Sequence, residues 1–305
     1  MSGALISVFA NQRGFATIPG APTIGTAAAQ DSTTATVAFT APASDGGSTI
    51  TLYTATSSPS GITGTLSQSG SGTITVSGLT ANTAYTFTVT ATNGVGTSAA
   101  SAASNSTTTL PVIGGAFGGG FFAGQISTAG NGIADYNLVI GPKSSAENGA
   151  KQWKTSNTGG DPTSVIDGPS NSSTMNSATY PAAQFCEGLT IGGFSDWYMP
   201  AKNEFEVCYY NLKPDTQNNT SGSGTNVNAV PYRGSDYTTG NPAQTSATDF
   251  RSPSGAQRFI LDTYWTSTQA TSTAGWRQAT NNGAQGNYTY KTYTNPVRAI
   301  RRVAV

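Results

Sequence analysis

The chain has 305 residues, enough for two independent cores, and its 14 Lys plus Arg balance 14 Asp plus Glu, with only 9% of residues charged. A balanced chain exerts no long-range pull on nucleic acid or an anionic membrane, so neither is an expected partner. There is no run of ~20 apolar residues to insert in a bilayer, and no histidine to shuttle protons or ligate a metal.

Residues 1–20 form a short leader carrying Leu5, Ile6, Val8, Phe9, Arg13 and Phe15. Its apolar run is too short for a secretory signal, and no basic residue precedes it. A free tail of this kind gains order only from a partner, so these six residues are expected to anchor the chain to another protein. The leader is similar to short anchoring segments at the start of phage fibre proteins.

Residues 21–109 read as strands. Ala35, Val37 and Phe39 alternate with Thr34, Thr36 and Ala38, and Tyr85, Phe87, Val89 and Ala91 alternate with Thr86, Thr88 and Thr90. Period two with threonine on the other face implies sheets with one buried side. Turn signals fall between them at Asp45-Gly46-Gly47, Ser58-Pro59-Ser60-Gly61 and Asn93-Gly94. Ala21-Pro22-Thr23-Ile24, Leu79 to Val89 and Ala91-Thr92-Asn93-Gly94-Val95-Gly96 resemble a bacterial-type fibronectin type III domain, an all-β immunoglobulin-like sandwich. The resemblance implies a corner at Leu79 and Tyr85 where the tyrosine hydroxyl ties back to the backbone. It departs at Phe39, where the family often has tryptophan. The expected role of this domain is a spacer. Between Arg13 and Lys143 there is no Lys or Arg, a shift that separates this region from the more basic remainder.

Residues 110–305 form the second predicted domain. A glycine-rich lead-in, Gly114 to Gly120, has no Gly-Lys-Ser/Thr after it and is not a phosphate loop. Strands are predicted at Phe121–Ile126 and Tyr136–Ile140. Ala182, Phe185, Cys186 and Leu189 have helical spacing, limited by Gly188 and Gly192-Gly193. A second helix follows Pro200, with Phe205, Cys208, Tyr209 and Leu212 on its apolar face and Pro214 at its end. Glu204 falls in its first turn, where the helix dipole favours an acid. Asp215 to Ser254 is a long polar loop region of the kind that is usually functional or disordered. Strands return at Phe259–Leu261, Tyr264–Ser267, Ala274–Arg277 and Val297–Val303.

The order Asp196-Trp197-Tyr198-Met199-Pro200, Glu204, Tyr264-Trp265-Thr266-Ser267-Thr268, Trp276 and Val297-Arg298-Ala299-Ile300-Arg301 resembles a bacterial and phage family of C-type-lectin-like domains. It covers about residues 115–303 and implies a multidomain chain: an all-β sandwich followed by an α+β C-type-lectin-like domain. The family has serine or threonine where Ala201 stands, and losing that helix cap should cost about 1 kcal/mol. The resemblance makes Trp197, Trp265, Arg298 and Arg301 scaffold residues, as Tyr85 is in the first domain. Calcium-dependent relatives use Glu-Pro-Asn and Trp-Asn-Asp; neither tripeptide is present, so no metal or cofactor is expected.

Chemistry has little to stand on. A relative of this fold oxidises sulfatase cysteines with a reactive cysteine pair, but Cys186 and Cys208 fall on helix core faces and are expected as buried free thiols. Glu204 and Glu206 are two apart on a helix and face different ways. Asp196 is expected to bond backbone in the turn before Trp197. Binding fares better. Tyr232, Tyr237, Trp276, Arg277, Asn281, Asn282, Tyr288, Tyr290 and Tyr293 lie in Gly/Asn/Thr-rich surroundings, where rigid rings and adaptable amides make a contact surface. The bland alternative is that Tyr288, Tyr290 and Tyr293 are strand residues packing a sheet face; Tyr288 and Tyr290 share parity, so one face could bury them. The function expected is a non-catalytic phage fibre or adhesin on the virion surface. It would be anchored through residues 1–20 to other virion proteins and would bind host-surface glycan or protein. A homo-oligomer, a trimer by fibre logic, would make many weak contacts multivalent. The alternatives are a capsid or tail decoration protein, and a bacterial surface or secreted binding protein.

Overall fold

In the computed structural model residues 15–305 are described. They divide into two units between Val112 and Ile113. Leu5, Ile6, Val8, Phe9 and Arg13 lie outside the described residues, whereas Phe15 is described and 97% exposed.

The first unit contains β1 (Thr23–Ala29), β2 (Thr34–Thr40), β3 (Leu52–Ser58), β4 (Thr63–Leu66), β5 (Gly72–Ser77), β6 (Ala84–Thr92) and β7 (Thr107–Thr108). They form two antiparallel sheets, ordered β1-β2-β5 and β4-β3-β6-β7. The alternation read from the sequence sets the inner face. Ala35, Val37 and Phe39 of β2 meet Tyr53 and Ala55 of β3 and Tyr85, Phe87, Val89 and Ala91 of β6 in one buried cluster. Phe39 fills its place by packing on Tyr53, ring centroids 4.3 Å apart. The Tyr85 hydroxyl accepts a hydrogen bond from the Thr80 amide at 3.0 Å, closing the corner that the motif implied.

One edge of β6 is covered by a segment the sequence reading passed over. Ser98, Ser101 and Ser104 donate their amides to the carbonyls of Ala91, Val89 and Phe87 at 2.8–2.9 Å. Their hydroxyls accept from the amides of the same three residues at 2.9–3.0 Å. The Ser-Ala-Ala spacing advances three residues for every two of β6, so a serine meets each inward-facing position although the segment is no regular strand.

The second unit opens with β8 (Ala116–Phe117), β9 (Gly120–Ile126) and β10 (Tyr136–Ile140), then α1 (Lys143–Ala146), β11 (Glu147–Gln152), α2 (Gly168–Thr174), α3 (Pro181–Glu187) and α4 (Lys202–Leu212). It continues through β12 (Ala229–Val230), β13 (Thr263–Gln269), β14 (Ala274–Ala279), β15 (Gln285–Tyr290), β16 (Thr294–Arg298) and β17 (Ile300–Ala304). The main sheet runs β12-β9-β10-β17, with β8 on β9; β11 pairs β16, and β13-β14-β15 form a third sheet. Phe205, Cys208 and Leu212 of α4 pack on Leu138, Ile140, Phe259 and Tyr264. Trp153, Trp197 and Trp265 build a second cluster with Ala182, Ala183 and Cys186 of α3.

Four expectations change. Phe259–Leu261 is not a strand: Phe259 is buried against Phe205 at 5.6 Å, and the Ile260 amide donates to the Tyr264 hydroxyl at 2.9 Å, which turns the chain. Val297–Val303 is two strands, because β16 pairs β11 while β17 pairs β10, and the chain changes sheets at Ala299. Helix α2 was unforeseen; Gly-Pro-Ser-Asn-Ser-Ser-Thr has no apolar periodicity, and its start rests on Pro169 and on Asp167 accepting from the Ser170 amide. Ala201 offers α4 no capping oxygen, but the first amides find other acceptors. Ala201 donates to Glu204 at 2.8 Å, Lys202 to Thr268 Oγ1 at 3.0 Å and Asn203 to the Val165 carbonyl at 2.8 Å.

A buried ionic cluster ties the loops around α2 and α3 to the last strands. Asp161 meets Lys154 at 2.7 Å and Lys291 at 2.6 Å, and accepts from the Tyr180 hydroxyl at 2.6 Å. Burial alone would raise the Asp161 carboxyl; the two ammonium groups and the hydroxyl overcome that and hold it below its ordinary 3.8. A carboxylate held low in the folded state contributes stability above its unfolded value and loses it as pH falls through the folded value.

The second unit is therefore expected to weaken on acidification below about pH 4. Asp161→Asn, which leaves two buried ammonium groups without a counter-charge, should cost about 3–5 kcal/mol and remove much of that acid limb. Urea unfolding of the full chain at a series of pH values measures both. In the first unit, Tyr85→Phe is expected to cost about 1 kcal/mol in the same assay, through the Thr80 amide it leaves unpaired.

Candidate functional site

The three-stranded sheet brings several of the candidate binding residues together. In its register Arg277 of β14 stands between Trp265 of β13 and Gly286 of β15, and Gln278 stands between Tyr264 and Gln285. Period two therefore puts Arg277 on one face and Gln278 on the other. On the Arg277 face lies a cavity of ≈ 270 Å³, lined among others by Arg277, Asn281, Asn282, Gln285, Gly286 and Tyr288. The turn between β14 and β15 is closed by the Ala279 amide on the Ala284 carbonyl at 2.9 Å. Gly283 sits there at φ +72°, with the Tyr209 and Tyr237 rings where a Cβ would be. The Asn282 side-chain oxygen is occupied by the Ala284 amide at 3.1 Å, so Asn282 shapes the rim.

One outward ring, that of Tyr288, stands at this cavity. Tyr288 is 74% exposed, and the Arg277 guanidinium lies 5.1 Å from its ring centroid. Tyr290 and Tyr293 are also exposed and meet edge to face at 5.7 Å. The shared parity of Tyr288 and Tyr290 thus serves a solvent face and not a packed one. Trp276 is half-buried on the other side of β14, with the Lys202 ammonium 4.7 Å from its ring. It belongs to the packing of α4 against the sheet.

Tyr232 and Tyr237 separate from this group. They line a second cavity of ≈ 280 Å³ with Tyr210, Arg233, Asp236 and Asn241. Tyr232 is 57% exposed, but Tyr237 is only 4% exposed. The Tyr237 hydroxyl donates to Glu206 at 2.7 Å, and Glu206 also pairs with Arg233 and accepts from Asn226 at 2.5 Å. Tyr237 is therefore a wall of the loop region, a correction to its place among the contact residues: a buried carboxylate needs donors, and Tyr237 supplies one.

A further cleft, of ≈ 610 Å³, was not foreseen and is lined in part by Tyr136, Ile166, Asp167, Asp196, Tyr198 and Arg302. Behind it Glu204 is fully buried, accepting from the Tyr198 hydroxyl at 2.6 Å and from Arg302 Nε at 2.8 Å. Burial raises the Glu204 carboxyl, and Arg302 and Tyr198 only partly offset that. Asp196 does not bond backbone as expected. Arg301 grips both its oxygens, at 2.7 and 2.9 Å, holding the carboxyl below its ordinary value. The guanidinium fork fits a carboxylate better than a turn amide does.

The scaffold residues have defined partners. Trp197 and Trp265 are buried and donate their indole N–H to the Phe194 and Lys151 carbonyls at 3.1 and 3.0 Å. Arg298 donates to the Gly141 and Gln257 carbonyls at 2.9 and 2.6 Å. Cys186 and Cys208 are free and buried, and burial pushes both thiols well up. Among the described residues no group of three His, Cys, Asp or Glu side chains is placed to hold a metal, and no helix is long and apolar enough to cross a membrane. Sequence reasoning missed Gln285 and Gly286 as cavity residues; the hairpin signal Asn281-Asn282-Gly283 with period two from Arg277 could have placed them.

Residues 20–107 match the fibronectin type III domain family, so the first unit is a fibronectin type III domain. No curated protein matches the chain. Among solved structures, titin kinase with its flanking domains is 31% identical over 30% of this chain and 17% of that one, with a TM-score of 0.25. A run of titin domains is 31% identical over 30% of this chain and 32% of that one, TM-score 0.26. The twitchin kinase region from C. elegans is 24% identical over 32% of this chain and 17% of that one, TM-score 0.27. The chain thus spans less than a third of the length of each of these structures.

Buried thiols with raised values are poor nucleophiles. Neither cysteine is expected to react with a thiol-specific chromogenic reagent at pH 8 in the folded chain, and both should react in denaturant. Fast labelling of either in the folded state would contradict this packing.

Proposed function

We propose that the chain is a phage virion adhesin. Residues 1–20 anchor it to other virion proteins, the fibronectin type III domain spaces it from the particle, and a C-type-lectin-like second unit binds host-surface glycan reversibly. The observation that carries this reading is the exposure of the Tyr288, Tyr290 and Tyr293 rings, with Tyr288 lining a polar cavity. Rigid rings offer flat apolar area at low entropy cost, and amides satisfy hydroxyls, a pairing suited to sugars. Four acids of the second unit support a binding role over bond cleavage. Asp161, Asp196, Glu204 and Glu206 are each engaged by cations or hydroxyls of the scaffold. The exposed Phe15 ring is what an anchor seated on another chain would present. The lectin-like reading rests on the motif order and on two helices packed with antiparallel sheets. Symmetric clustering, as in a trimer, would multiply individually weak contacts.

The full chain is expected to sediment with envelopes of its host bacterium, at the virion surface where the reading places it. The triple variant Tyr288→Ser, Tyr290→Ser, Tyr293→Ser should lose roughly tenfold or more in affinity with an unchanged melting curve. Clean absence of binding across host envelopes and a glycan array would overturn the adhesin reading.

A further inference from the structure

We propose that the cavity beside Arg277 takes a carboxylate-bearing sugar residue, so that the ligand is an acidic polysaccharide. This rests on the reading of that face as a glycan-binding surface and adds the charge of the ligand. Among the described residues, Arg277 is the arginine whose guanidinium is not spent on the fold. Arg233, Arg298, Arg301 and Arg302 each lie against a carboxylate, and Arg251 and Arg258 donate to the Thr245 and Gly255 carbonyls at 2.6 and 3.2 Å. Among the described residues the Arg277 side chain meets no acceptor, and its Nε is buried without one.

The rest of the cavity has the same bias. Its lining includes no Asp or Glu. The Arg277 Nε–H is a buried donor left unmet, one for which an anionic oxygen would be welcome. Directly across from Arg277 stands Gly286, where a Cβ would come 3.1 Å from Arg277 Nε. Glycine there gives the guanidinium room to lie along the strand, with the Tyr288 ring beside it. One unpaired guanidinium balances one negative charge and matches the planar fork of a carboxylate; a phosphate dianion would call for a second cation. Of the other cations near this sheet, Lys291 is paired with Asp161 and Lys202 is over Trp276, whose side chain alternates to the opposite face from Arg277. The surroundings favour a sugar over an acidic peptide: amides and an exposed ring line the site, with no apolar hole for an anchoring side chain.

The test measures binding of the full chain to galacturonic acid oligomers and to galactose oligomers of equal length and linkage. The acidic series should bind about tenfold tighter at low salt, with the gap narrowing as salt is raised. Methyl esterification of the oligomer should remove the preference. So should Arg277→Gln, while Arg277→Lys should retain part of it and Gly286→Val should weaken it by displacing the guanidinium. Unchanged melting curves guard against misfolding. Equal affinity for the two series, with Tyr288→Ser still reducing both, would overturn this inference and leave the adhesin reading in place. Tighter binding of a glutamate-rich peptide than of galacturonan would overturn it in favour of a protein ligand. No binding to either series by a chain that does bind host envelopes would also overturn it.

Discussion

The second unit depends on three arginines in its closing strands. Arg298 is fully buried, donates to Gly141 and Gln257, and lies 3.6 Å from Glu147. Arg301 reaches Asp196 and the Gly118 carbonyl, and Arg302 reaches Glu204 and the Ile166 carbonyl. Each guanidinium fastens the end of the chain to regions tens to more than a hundred residues earlier. Removing one partner of such a pair leaves a buried charge unmet, which costs several kcal/mol. The last strands therefore act as a clasp for loops that carry little regular structure of their own.

That economy shapes the surface. Because Asp161, Asp196, Glu204 and Glu206 are held by scaffold cations and hydroxyls, the cavity on the β13–β14–β15 face is left with amides, a tyrosine and one unneutralised arginine. With so few charged side chains in the whole sequence, each acid bound inside is one fewer available outside. The proposed preference for a carboxylate is the counterpart of this distribution, in which these four anions serve cohesion while the Arg277 Nε meets no acceptor.

How far the sequence reveals this depends on the range of the forces involved. Period-two alternation at Ala35, Val37, Phe39 and at Tyr85 to Ala91 marks the sandwich strands, because burial of alternate residues is a local rule. The face of α4 with Phe205, Cys208, Tyr209 and Leu212 is legible for the same reason. What escapes is non-local. Asp196 looks like a turn acid until Arg301 is brought beside it. Tyr237 looks like a contact residue until Glu206 is seen to need its hydroxyl. Phe259–Leu261 has strand composition but is bent by a hydrogen bond to Tyr264. Helix α2 is set by a cap and a proline with no apolar stripe. The tyrosines at 288, 290 and 293 are readable as candidates, but their exposure depends on which sheet face the core claims.

The serine repeat beside β6 has one further effect. Each hydroxyl that accepts from β6 also donates to the carbonyl of the next residue, Ser98 to Ala99, Ser101 to Ala102 and Ser104 to Asn105, all at 2.7 Å. The covering segment thus consumes part of its own outward hydrogen-bonding capacity. A neighbouring sandwich finds few open acceptors along this border with which to continue the sheet, and an uncapped border is where β proteins fuse into aggregates. Crowded side by side, such domains can remain separate molecules without charged gatekeepers, which this stretch of the sequence does not contain.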